Sequence, residues 1–169
     1  FGTLNRPNDN FTFSAWIRAL QSHEIDATST SSTAGTSGQK YAFDVEAGGS
    51  SSTSAGLSVG TNGLSVYELA SNYMPPLAVS SNAIGSGWNF VTVTYLNRQP
   101  RIYRNGALVC TGVTSPRSPV YAPYRIGGQL SSNYGYFNGL MDEVRISALS
   151  RSTNWIWAEY MNIASNSVL

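Results

Sequence analysis

Asp142 and Glu143 stand side by side in GLMDEVRIS, a segment whose other residues predict a β-strand. Because side chains alternate between the two faces of a strand, Asp142 shares a face with apolar residues such as Ile146, and Glu143 shares the other face with Arg145. We expect Glu143 and Arg145 to form an exposed ion pair of little energetic value. An ionised carboxylate on an apolar face is costly unless it is compensated. We therefore expect hydrogen bonds, a cation or a metal ion at Asp142.

Two further acid pairs have the spacing that places both carboxylates on one face of a strand. Glycosidases use two carboxylates, about 5 to 5.5 Å apart in retaining enzymes and farther apart in inverting ones. The pairs are Glu24 with Asp26, in HEIDATS, and Asp44 with Glu46, in YAFDVEAGG. Neither has a third acid beside it, so we interpret these residues as solvated acids on an edge strand.

Other catalytic chemistries are excluded by counting. His23 is the single histidine and Cys110 the single cysteine, which excludes a His/Cys metal site and an internal disulfide. No G-x-S-x-G motif for a nucleophilic serine is present, and IGGQ at 126–129 matches no nucleotide-binding fingerprint. We expect Cys110 to be a small buried apolar residue.

Tyrosines in turn-rich segments are the best candidates for ligand contact. Aromatic rings stack on the faces of sugar rings, and amides and hydroxyls bind sugar hydroxyl groups. Loop position favours exposure. The candidates are Tyr73 in SNYMPP, Tyr121 and Tyr124 in VYAPY, and Asn133, Tyr134 and Tyr136 in SSNYGYFNG.

The composition limits the class of partner. The 169 residues carry a net charge of +1, so the chain lacks the basic surface that binds nucleic acid or anionic membranes. Charged residues make up only 11%, against roughly 25% in ordinary soluble domains, and hydroxyl and amide residues replace them, as in many secreted β-proteins. No apolar run is long enough for a transmembrane helix. Since the chain opens at Phe1 without methionine, we expect a single domain, 1–169, cut from a larger protein.

Short strands separated by turns predict an antiparallel sandwich. FTFSAWIRAL alternates cleanly, and the Asn-Gly pairs at 62–63 and 105–106 each predict a hairpin. Two segments rich in Ser, Thr and Gly, 27–39 and 48–55, predict loops, the first of them mobile. We predict strands at 11–20, 40–47, 56–69, 77–81, 88–97, 100–103, 107–113, 124–127 and 137–147.

One helix is predicted, in STNWIWAEYMN at residues 152–162, with Ser152 or Thr153 as its N-cap. Two adjacent apolar stripes follow its surface, one through Trp155 and one through Ile156 and Tyr160. We expect these stripes to pack over the end of a sheet rather than to bind a ligand.

The order of FTFSAWI, GWNFVTVTY, RIYRNGALV, YRIGGQ and YFNGLMDEVRISALSRS, followed by a helix, resembles the laminin-G-like, concanavalin A-like jelly-roll domains of bacterial extracellular proteins. The resemblance covers nearly the whole chain. It implies an all-β fold, two curved antiparallel sheets with one short C-terminal helix, and ligand sites on the concave face or in the loops at its rim. Trp16 and Trp88 lie inside the resembling motifs, so we expect them to be structural.

The resemblance also implies a partner for Asp142, because related jelly rolls use an aspartate on a late strand to hold a structural Ca²⁺. Calcium takes six to eight oxygen ligands, and Asp9 in the loop NRPNDN is the candidate for a second carboxylate. The alternative is that Asp142 accepts backbone N–H groups of a turn. Both remain open on the sequence.

The function that the sequence favours is a non-catalytic, lectin-like module that binds carbohydrate, as a monomer, beside other modules of an extracellular or cell-surface protein. The alternative is an adhesion or spacer domain with a protein ligand or none. A glycan-cleaving enzyme is third, because laminarinase-like relatives carry E-I-D-x-E or E-I-D-x-x-E, whereas Thr28 and Ser29 stand here where the last acid belongs.

Overall fold

The computed structural model describes residues 6–45, 51–128 and 135–165. Ten strands form two sheets, and one helix, α1, spans Thr153–Ala164. The strands are β1 Phe11–Ala19, β2 Tyr41–Phe43, β3 Thr53–Gly60, β4 Gly63–Leu69, β5 Pro76–Ser80, β6 Asn89–Leu96, β7 Gln99–Arg104, β8 Ala107–Thr111, β9 Val120–Tyr121 and β10 Gly139–Ser147. The predicted sandwich of antiparallel sheets with a C-terminal helix is confirmed.

The first sheet has the order β10-β1-β6-β7-β8, and the second has the order β2-β3-β4-β5, with β9 parallel to β3. Hairpins join β3 to β4 and β7 to β8, as predicted, but the first turns at Thr61 and Asn62, one residue before the predicted Asn-Gly pair. At the second one Asn105 and Gly106 both have positive φ, +50° and +81°, as a type I′ turn requires.

The core lies between the sheets, where alternate residues of each strand point inward. Phe11, Phe13 and Ile17 of β1 meet Leu57 of β3 and Val66 of β4, all fully or almost fully buried. On the opposite face of β1 lie the small polar residues Thr12 and Ser14, followed by Trp16. The alternation in FTFSAWIRAL therefore predicted the inward face of β1 correctly.

The outer face of the first sheet is covered by α1. Ile156 of the helix packs with Phe90 and Tyr103, and Tyr160 lies against Trp16 and Phe90. The Ser152 hydroxyl accepts the backbone N–H of Trp155 and caps the helix. Packing through the stripe of Ile156 and Tyr160 was predicted.

The segment 27–39 is not the mobile loop that its composition predicted, because it packs on the outer face of the second sheet. The backbone N–H of Gly35 donates to the Met74 carbonyl, 3.0 Å away, and the N–H of Met74 donates to the Ser32 carbonyl at 2.9 Å. The Tyr41 hydroxyl donates to the Gly35 carbonyl at 2.7 Å. The two bonds with Met74 join residues far apart in sequence, which no local pattern reveals.

Trp88 also differs from its prediction. Its side chain is exposed, because the residue lies just before β6 and outside both sheets, whereas Trp16 is packed under α1. Among the described residues no helix has the length and apolar character needed to cross a membrane.

Candidate functional site

The edge of the second sheet at β2 is extended by two irregular segments. The N–H of Asp44 donates to the Arg125 carbonyl at 3.0 Å, and the N–H of Gly127 donates to the Ala42 carbonyl at 3.1 Å. On the same edge the Tyr41 N–H donates to the Gly135 carbonyl at 2.7 Å. These bonds bring residues 125–128 and 135–136 next to each other although the sequence separates them.

A shallow pocket of about 310 Å³ lies where these segments meet, at the lower end of the size range of small-ligand sites. Its polar lining comes from Asp44 and Arg125, and its apolar lining from Ile126 and Tyr136. Tyr136 is 49% exposed. The pocket thus combines an accessible aromatic ring with charged side chains.

Gly128 fixes the position of the Tyr136 ring. Gly128 has φ +149°, and a Cβ there would clash with the ring and stand 3.1 Å from the Cα of Tyr136. Only glycine therefore leaves room for the ring against the backbone at this position. In contrast, a Cβ at Gly127 would meet nothing within 4 Å.

Tyr124, the chain neighbour of Arg125, and Tyr121 have guanidinium groups on their rings. The Arg6 guanidinium is 4.4 Å from the Tyr124 ring centroid and 5.1 Å from that of Tyr121, and the Arg125 guanidinium is 5.0 Å from that of Tyr124. Tyr124 is exposed, whereas Tyr121 is half-buried in β9 and not in a loop as predicted. Of the two, Tyr124 meets the requirement of exposure.

The prediction that Tyr73 contacts a ligand is wrong, because Tyr73 is only 5% exposed. Its hydroxyl donates to the Glu68 carboxylate at 3.4 Å, and the Arg117 guanidinium stacks on its ring at 4.7 Å. Burial, with the nearby Glu68 charge, holds the pKa of Tyr73 above its usual range. Tyr73 is a structural residue. Asn133 and Tyr134 lie outside the described residues, and their predictions stay open.

Asp142 does not lie on an apolar face, which corrects the expectation drawn from regular alternation. A β-bulge interrupts the pairing of β10 with β1 between the pairs Ser14–Arg145 and Trp16–Asp142, and Glu143 in it has φ +52°. The bulge shifts the alternation by one residue. Met141 packs on the core instead, and Asp142 is exposed.

The Asp142 carboxylate accepts the backbone N–H of Glu143 at 2.8 Å, which is the alternative to calcium that the sequence left open. Its side chain caps the bulge locally.

The described residues do not fit the predicted calcium site. Asp9 accepts the N–H of Val120 through its carboxylate at 2.8 Å, and it precedes β1, whereas Asp142 pairs with Trp16. The extended part of the chain between them, from Phe11 to Trp16 in β1, alone spans roughly 17 Å. Within residues 6–45, 51–128 and 135–165 no three His, Cys, Asp or Glu residues lie together as metal ligands would. Asp9 and Asp142 therefore do not share an ion.

Of the acids at strand spacing, Glu24 is exposed, as expected, but Asp26 and Asp44 are not solvated side chains on an edge strand. Asp26 accepts the Tyr67 hydroxyl at 2.5 Å and the Gln39 amide at 2.9 Å, which ties segment 27–39 to β4. Asp44 is buried rather than solvated, and Glu46 lies outside the described residues.

His23 is buried with its Nδ1 2.7 Å from the Ser58 hydroxyl, and burial lowers its pKa to about 4.

Sequence reasoning singled out Tyr136, which lines the pocket, and Tyr124, but not the other residues of the pocket lining. Residues 124–127 were predicted to form a strand, and only an isolated bridge between Ile126 and Phe43 is present. The pairing of Arg125 with Asp44 across the sheet edge depends on the fold. A turn with two consecutive glycines, at 127 and 128, was the one local signal that a side chain packs on the backbone there.

Several solved structures share this fold. Botulinum neurotoxin type C, which depends on interaction with two ganglioside molecules to enter cells, matches with a TM-score of 0.60 at 18% identity over 94% of this chain. Domain 4 of AbnA, an extracellular GH43 arabinanase from Geobacillus stearothermophilus seen with arabinotriose, matches with a TM-score of 0.52 at 12% identity. The match covers 89% of this chain and 66% of the arabinanase chain.

The binding domain of botulinum neurotoxin DC, in complex with rat synaptotagmin II, matches with a TM-score of 0.58 at 18% identity, over 94% of this chain and 37% of that one. The present chain spans only 36% of the neurotoxin type C structure. No curated protein matches the chain in sequence. These likenesses show the fold.

The family model of the concanavalin A-like lectin/glucanases superfamily, Laminin_G_3, matches residues 2–156. That range contains both sheets and the first turn of α1. The resemblance seen in the sequence motifs is thereby confirmed, and the chain belongs to the concanavalin A-like lectin/glucanases superfamily.

Proposed function

We propose that this domain is a non-catalytic, lectin-like module that binds carbohydrate through the pocket of Tyr136. The observation that carries the proposal is the half-exposed Tyr136 ring, held by Gly128 above a pocket lined by Asp44 and Arg125. Tyr124 is the chain neighbour of Arg125. The composition, poor in charge and rich in hydroxyl residues, supports a place in a secreted or cell-surface protein among other modules.

The chemistry of this pocket suits a sugar. A pyranose or furanose presents an apolar face, which stacks on a tyrosine, and hydroxyl groups at its edge, which bond to carboxylate and guanidinium groups. Ile126, an exposed apolar residue beside Tyr136, extends the surface for such a face. The shallow shape fits the end or side of a glycan chain rather than an enclosed small molecule.

The structural neighbours support a binding role. The arabinanase domain was solved in complex with arabinotriose, and the binding domain of botulinum neurotoxin DC in complex with SialylT. Cell entry of botulinum neurotoxin type C depends on interaction with two ganglioside molecules. At 12 to 18% identity these proteins contribute the fold and not a residue-by-residue site.

The state of the acids supports the absence of catalysis. A glycosidase needs two carboxylates facing one cleft. Asp26 is bonded to Tyr67 and Gln39, and Glu68 is fully buried among hydroxyl groups. In the part of the chain that the structure describes, the Tyr136 pocket contains one acid, Asp44.

The alternative function is adhesion to a protein. β10 is the edge strand of the first sheet, and its apolar side chains Leu140, Val144 and Ile146 are exposed. Exposed apolar residues on an edge strand favour pairing with another chain. One fold neighbour is seen in complex with a protein, rat synaptotagmin II.

A glycan array probed with the folded domain tests the proposal. We expect retention of at least one glycan class by the wild-type domain, and loss of it by Tyr136→Ala with an unchanged melting temperature. Incubation with the retained glycan should release no reducing ends. A domain that retains no glycan supports adhesion or spacing instead, and release of reducing ends by pure protein overturns the non-catalytic assignment.

A further inference from the structure

An exposed aromatic surface lies on the outer face of the first sheet, beyond the part that α1 covers. The helix packs on Phe90 of β6 and Trp16 of β1 through Tyr160. Side chains two residues apart share a face of a strand. The next outward positions along these two chains are therefore Trp88, just before β6, and Arg18 in β1.

The sheet register places these two side chains next to each other. Ile17 pairs with Asn89 in the antiparallel ladder of β1 and β6, so Arg18 and Trp88 occupy the adjacent positions. The Arg18 side chain reaches in the same direction, because its Nε donates to the Ser86 carbonyl at 3.0 Å. Arg18 and Trp88 thus form one continuous surface.

Two leucines extend this surface. Leu140 of β10 pairs with Arg18 on the side away from Trp88. Leu20 follows Arg18 by two residues, and the residue between them, Ala19, is fully buried, so Arg18 and Leu20 both point outward. The three apolar side chains are 44 to 51% exposed. We call this set the Trp88 surface: Arg18, Leu20, Trp88 and Leu140.

The Trp88 ring is open to a ligand. No described residue stacks on it or places a cation over it. In contrast, Trp16 lies against Tyr160, and the Arg151 guanidinium covers Trp155 at 4.4 Å from the ring centroid. An exposed indole offers a large apolar face, which suits the C–H face of a sugar ring.

Arg18 places a positive charge in the middle of this apolar surface. Its bond to Ser86 fixes the direction of the guanidinium group. Within residues 6–45, 51–128 and 135–165, Nη1 and Nη2 of Arg18 have no acceptor and no carboxylate forms an ion pair with it. Asp142, the outward acid of β10, instead accepts the backbone N–H of Glu143. An exposed guanidinium held in this way suits a carboxylate, which accepts two N–H bonds at once.

We propose that the Trp88 surface binds an acidic saccharide, in which a uronic-acid residue stacks on Trp88 and its carboxylate accepts from Nη1 and Nη2 of Arg18. In a uronic acid the carboxylate is attached directly to the sugar ring, so one residue presents an apolar face and a negative charge side by side. Leu20 and Leu140 contact the neighbouring C–H groups of the chain.

Other ligand classes meet only part of this chemistry. A neutral sugar leaves the Arg18 charge without a counter-charge, and a simple carboxylate leaves the Trp88 ring uncovered. A purely apolar partner would cover the guanidinium group without supplying an acceptor, which is costly. The combination of a free cation with an open indole therefore favours a charged sugar.

The Trp88 surface is independent of the Tyr136 pocket. The two share no residue, and they belong to different sheets. The inference therefore goes beyond the function proposed for the Tyr136 pocket. A module with two sites gains avidity for a polysaccharide if both engage one chain.

The test titrates the ¹⁵N-labelled domain with trisaccharides of galacturonate and of mannuronate and with a glucuronate-containing hyaluronan tetrasaccharide. The methyl ester of each, with the same rings but without the charge, is titrated in parallel. The reporter is the indole N–H resonance of Trp88, assigned by its loss in Trp88→Phe. We expect at least one acidic oligosaccharide to shift this resonance saturably, and its ester to bind roughly tenfold more weakly or worse.

Two variants remove the two proposed contacts. Arg18→Gln should weaken the binding roughly tenfold or more, the scale of a lost charge-assisted hydrogen bond. Trp88→Ala should weaken it about fivefold or more, by analogy with stacking on nucleic-acid bases. In Trp88→Ala the backbone amide of Leu20 replaces the indole as reporter.

Two matched controls remove the same side-chain types elsewhere. Arg101→Gln removes a guanidinium group from β7 on the same outer face, where Arg101 pairs with Thr94. Trp157→Ala removes an exposed tryptophan of α1. Both should bind the acidic oligosaccharide as the wild type does, and circular-dichroism melting confirms that each variant is folded.

Four outcomes would overturn the Trp88 surface. They are a Trp88 resonance that no acidic oligosaccharide moves, an ester that binds as well as its acid, unchanged binding in folded Arg18→Gln, and an equal loss in Arg101→Gln. The last outcome would indicate unspecific attraction to cations.

Tyr136→Ala separates this inference from the proposed function. Binding at Trp88 that persists in Tyr136→Ala supports the Trp88 surface, whether or not the Tyr136 pocket binds a glycan. Binding of the acidic oligosaccharide that is lost only in Tyr136→Ala assigns it to the Tyr136 pocket and contradicts the Trp88 surface.

Discussion

The ring of Tyr136 lies against the backbone of Gly128, in space that any other residue would fill with its own Cβ. Gly128→Ala should therefore displace the ring and weaken glycan binding by a factor close to that of Tyr136→Ala. Affinity for the glycan selected on the array, measured by titration calorimetry, checks this expectation.

Gly127→Ala is the control for Gly128→Ala. Gly127 also has a positive φ, +92°, so both variants introduce backbone strain, but a Cβ at Gly127 meets no atom within 4 Å. Both should lose stability, and only Gly128→Ala should lose affinity. Equal affinities of the two variants would show that the position of the Tyr136 ring does not matter for binding.

Tyr73→Phe should change stability and leave glycan binding untouched. The variant removes the hydroxyl that donates to Glu68 while it keeps the ring under Arg117. We expect a loss of about 0.5 to 1.5 kcal/mol in the free energy of unfolding, the usual contribution of a hydrogen bond. Urea unfolding measures it. A reduced affinity for glycan would return Tyr73 to the binding surface and contradict its burial.

Glu68 should make the domain more stable as the pH falls. It is buried among the hydroxyls of Tyr95, Tyr73 and Ser115, and burial raises its pKa from 4.5 to about 7. The folded state then binds more protons than the unfolded state between these values, so the free energy of unfolding rises on acidification from pH 7 to 4.5. A shift of this size is worth on the order of 3 kcal/mol.

His23 should act in the opposite direction. Burial lowers its pKa from 6.5 to about 4, so the unfolded state binds more protons in that interval and stability is lost as the pH falls through it. The wild-type domain should show a shallow dependence because the two effects oppose each other. On acidification, the free energy of unfolding of Glu68→Gln should fall more steeply than that of the wild type. The free energy of unfolding of His23→Asn should instead rise. Unfolding free energies at pH 4.5 and 7 measure both slopes, and identical slopes in all three proteins would refute the assignment.

EDTA should leave the melting temperature unchanged, contrary to the calcium site predicted from the sequence. Asp142 is exposed and its carboxylate accepts the Glu143 N–H, far from Asp9. Asp142→Asn should lower stability by no more than about 1 kcal/mol, the scale of one exposed local hydrogen bond. Thermal melting with calcium and with EDTA decides the matter. A drop in melting temperature on chelation that is absent in Asp142→Asn would restore the metal site.

The sequence predicted most of the fold because its signals are local. Period-two alternation in FTFSAWIRAL and the Asn-Gly turns define strands and hairpins within a few residues. The hairpin between β6 and β7 turns at Asn97 and Arg98, both with positive φ. Arginine there carries no turn signal, so no hairpin was predicted at that point.

The errors at the candidate site have non-local causes. The bulge at Glu143 shifts β10 by one residue against β1, and an acid in the left-handed region is not visible in GLMDEVRIS. Tyr73 is buried by Ser115 and Arg117, more than forty residues away in the chain. The charged lining of the Tyr136 pocket likewise depends on pairing between segments 42–44 and 125–127.

The measurement that tests the proposed function most directly is the dissociation constant of the array-selected glycan for the wild type, Tyr136→Ala and Tyr73→Phe, determined by titration calorimetry. By analogy with stacking on nucleic-acid bases, loss of the Tyr136 ring should weaken binding by roughly 1 to 3 kcal/mol, about fivefold to more than a hundredfold. Tyr73→Phe should bind as the wild type does, because Tyr73 is buried. A glycan bound equally well by the wild type and Tyr136→Ala would contradict the assignment of this pocket as the carbohydrate site.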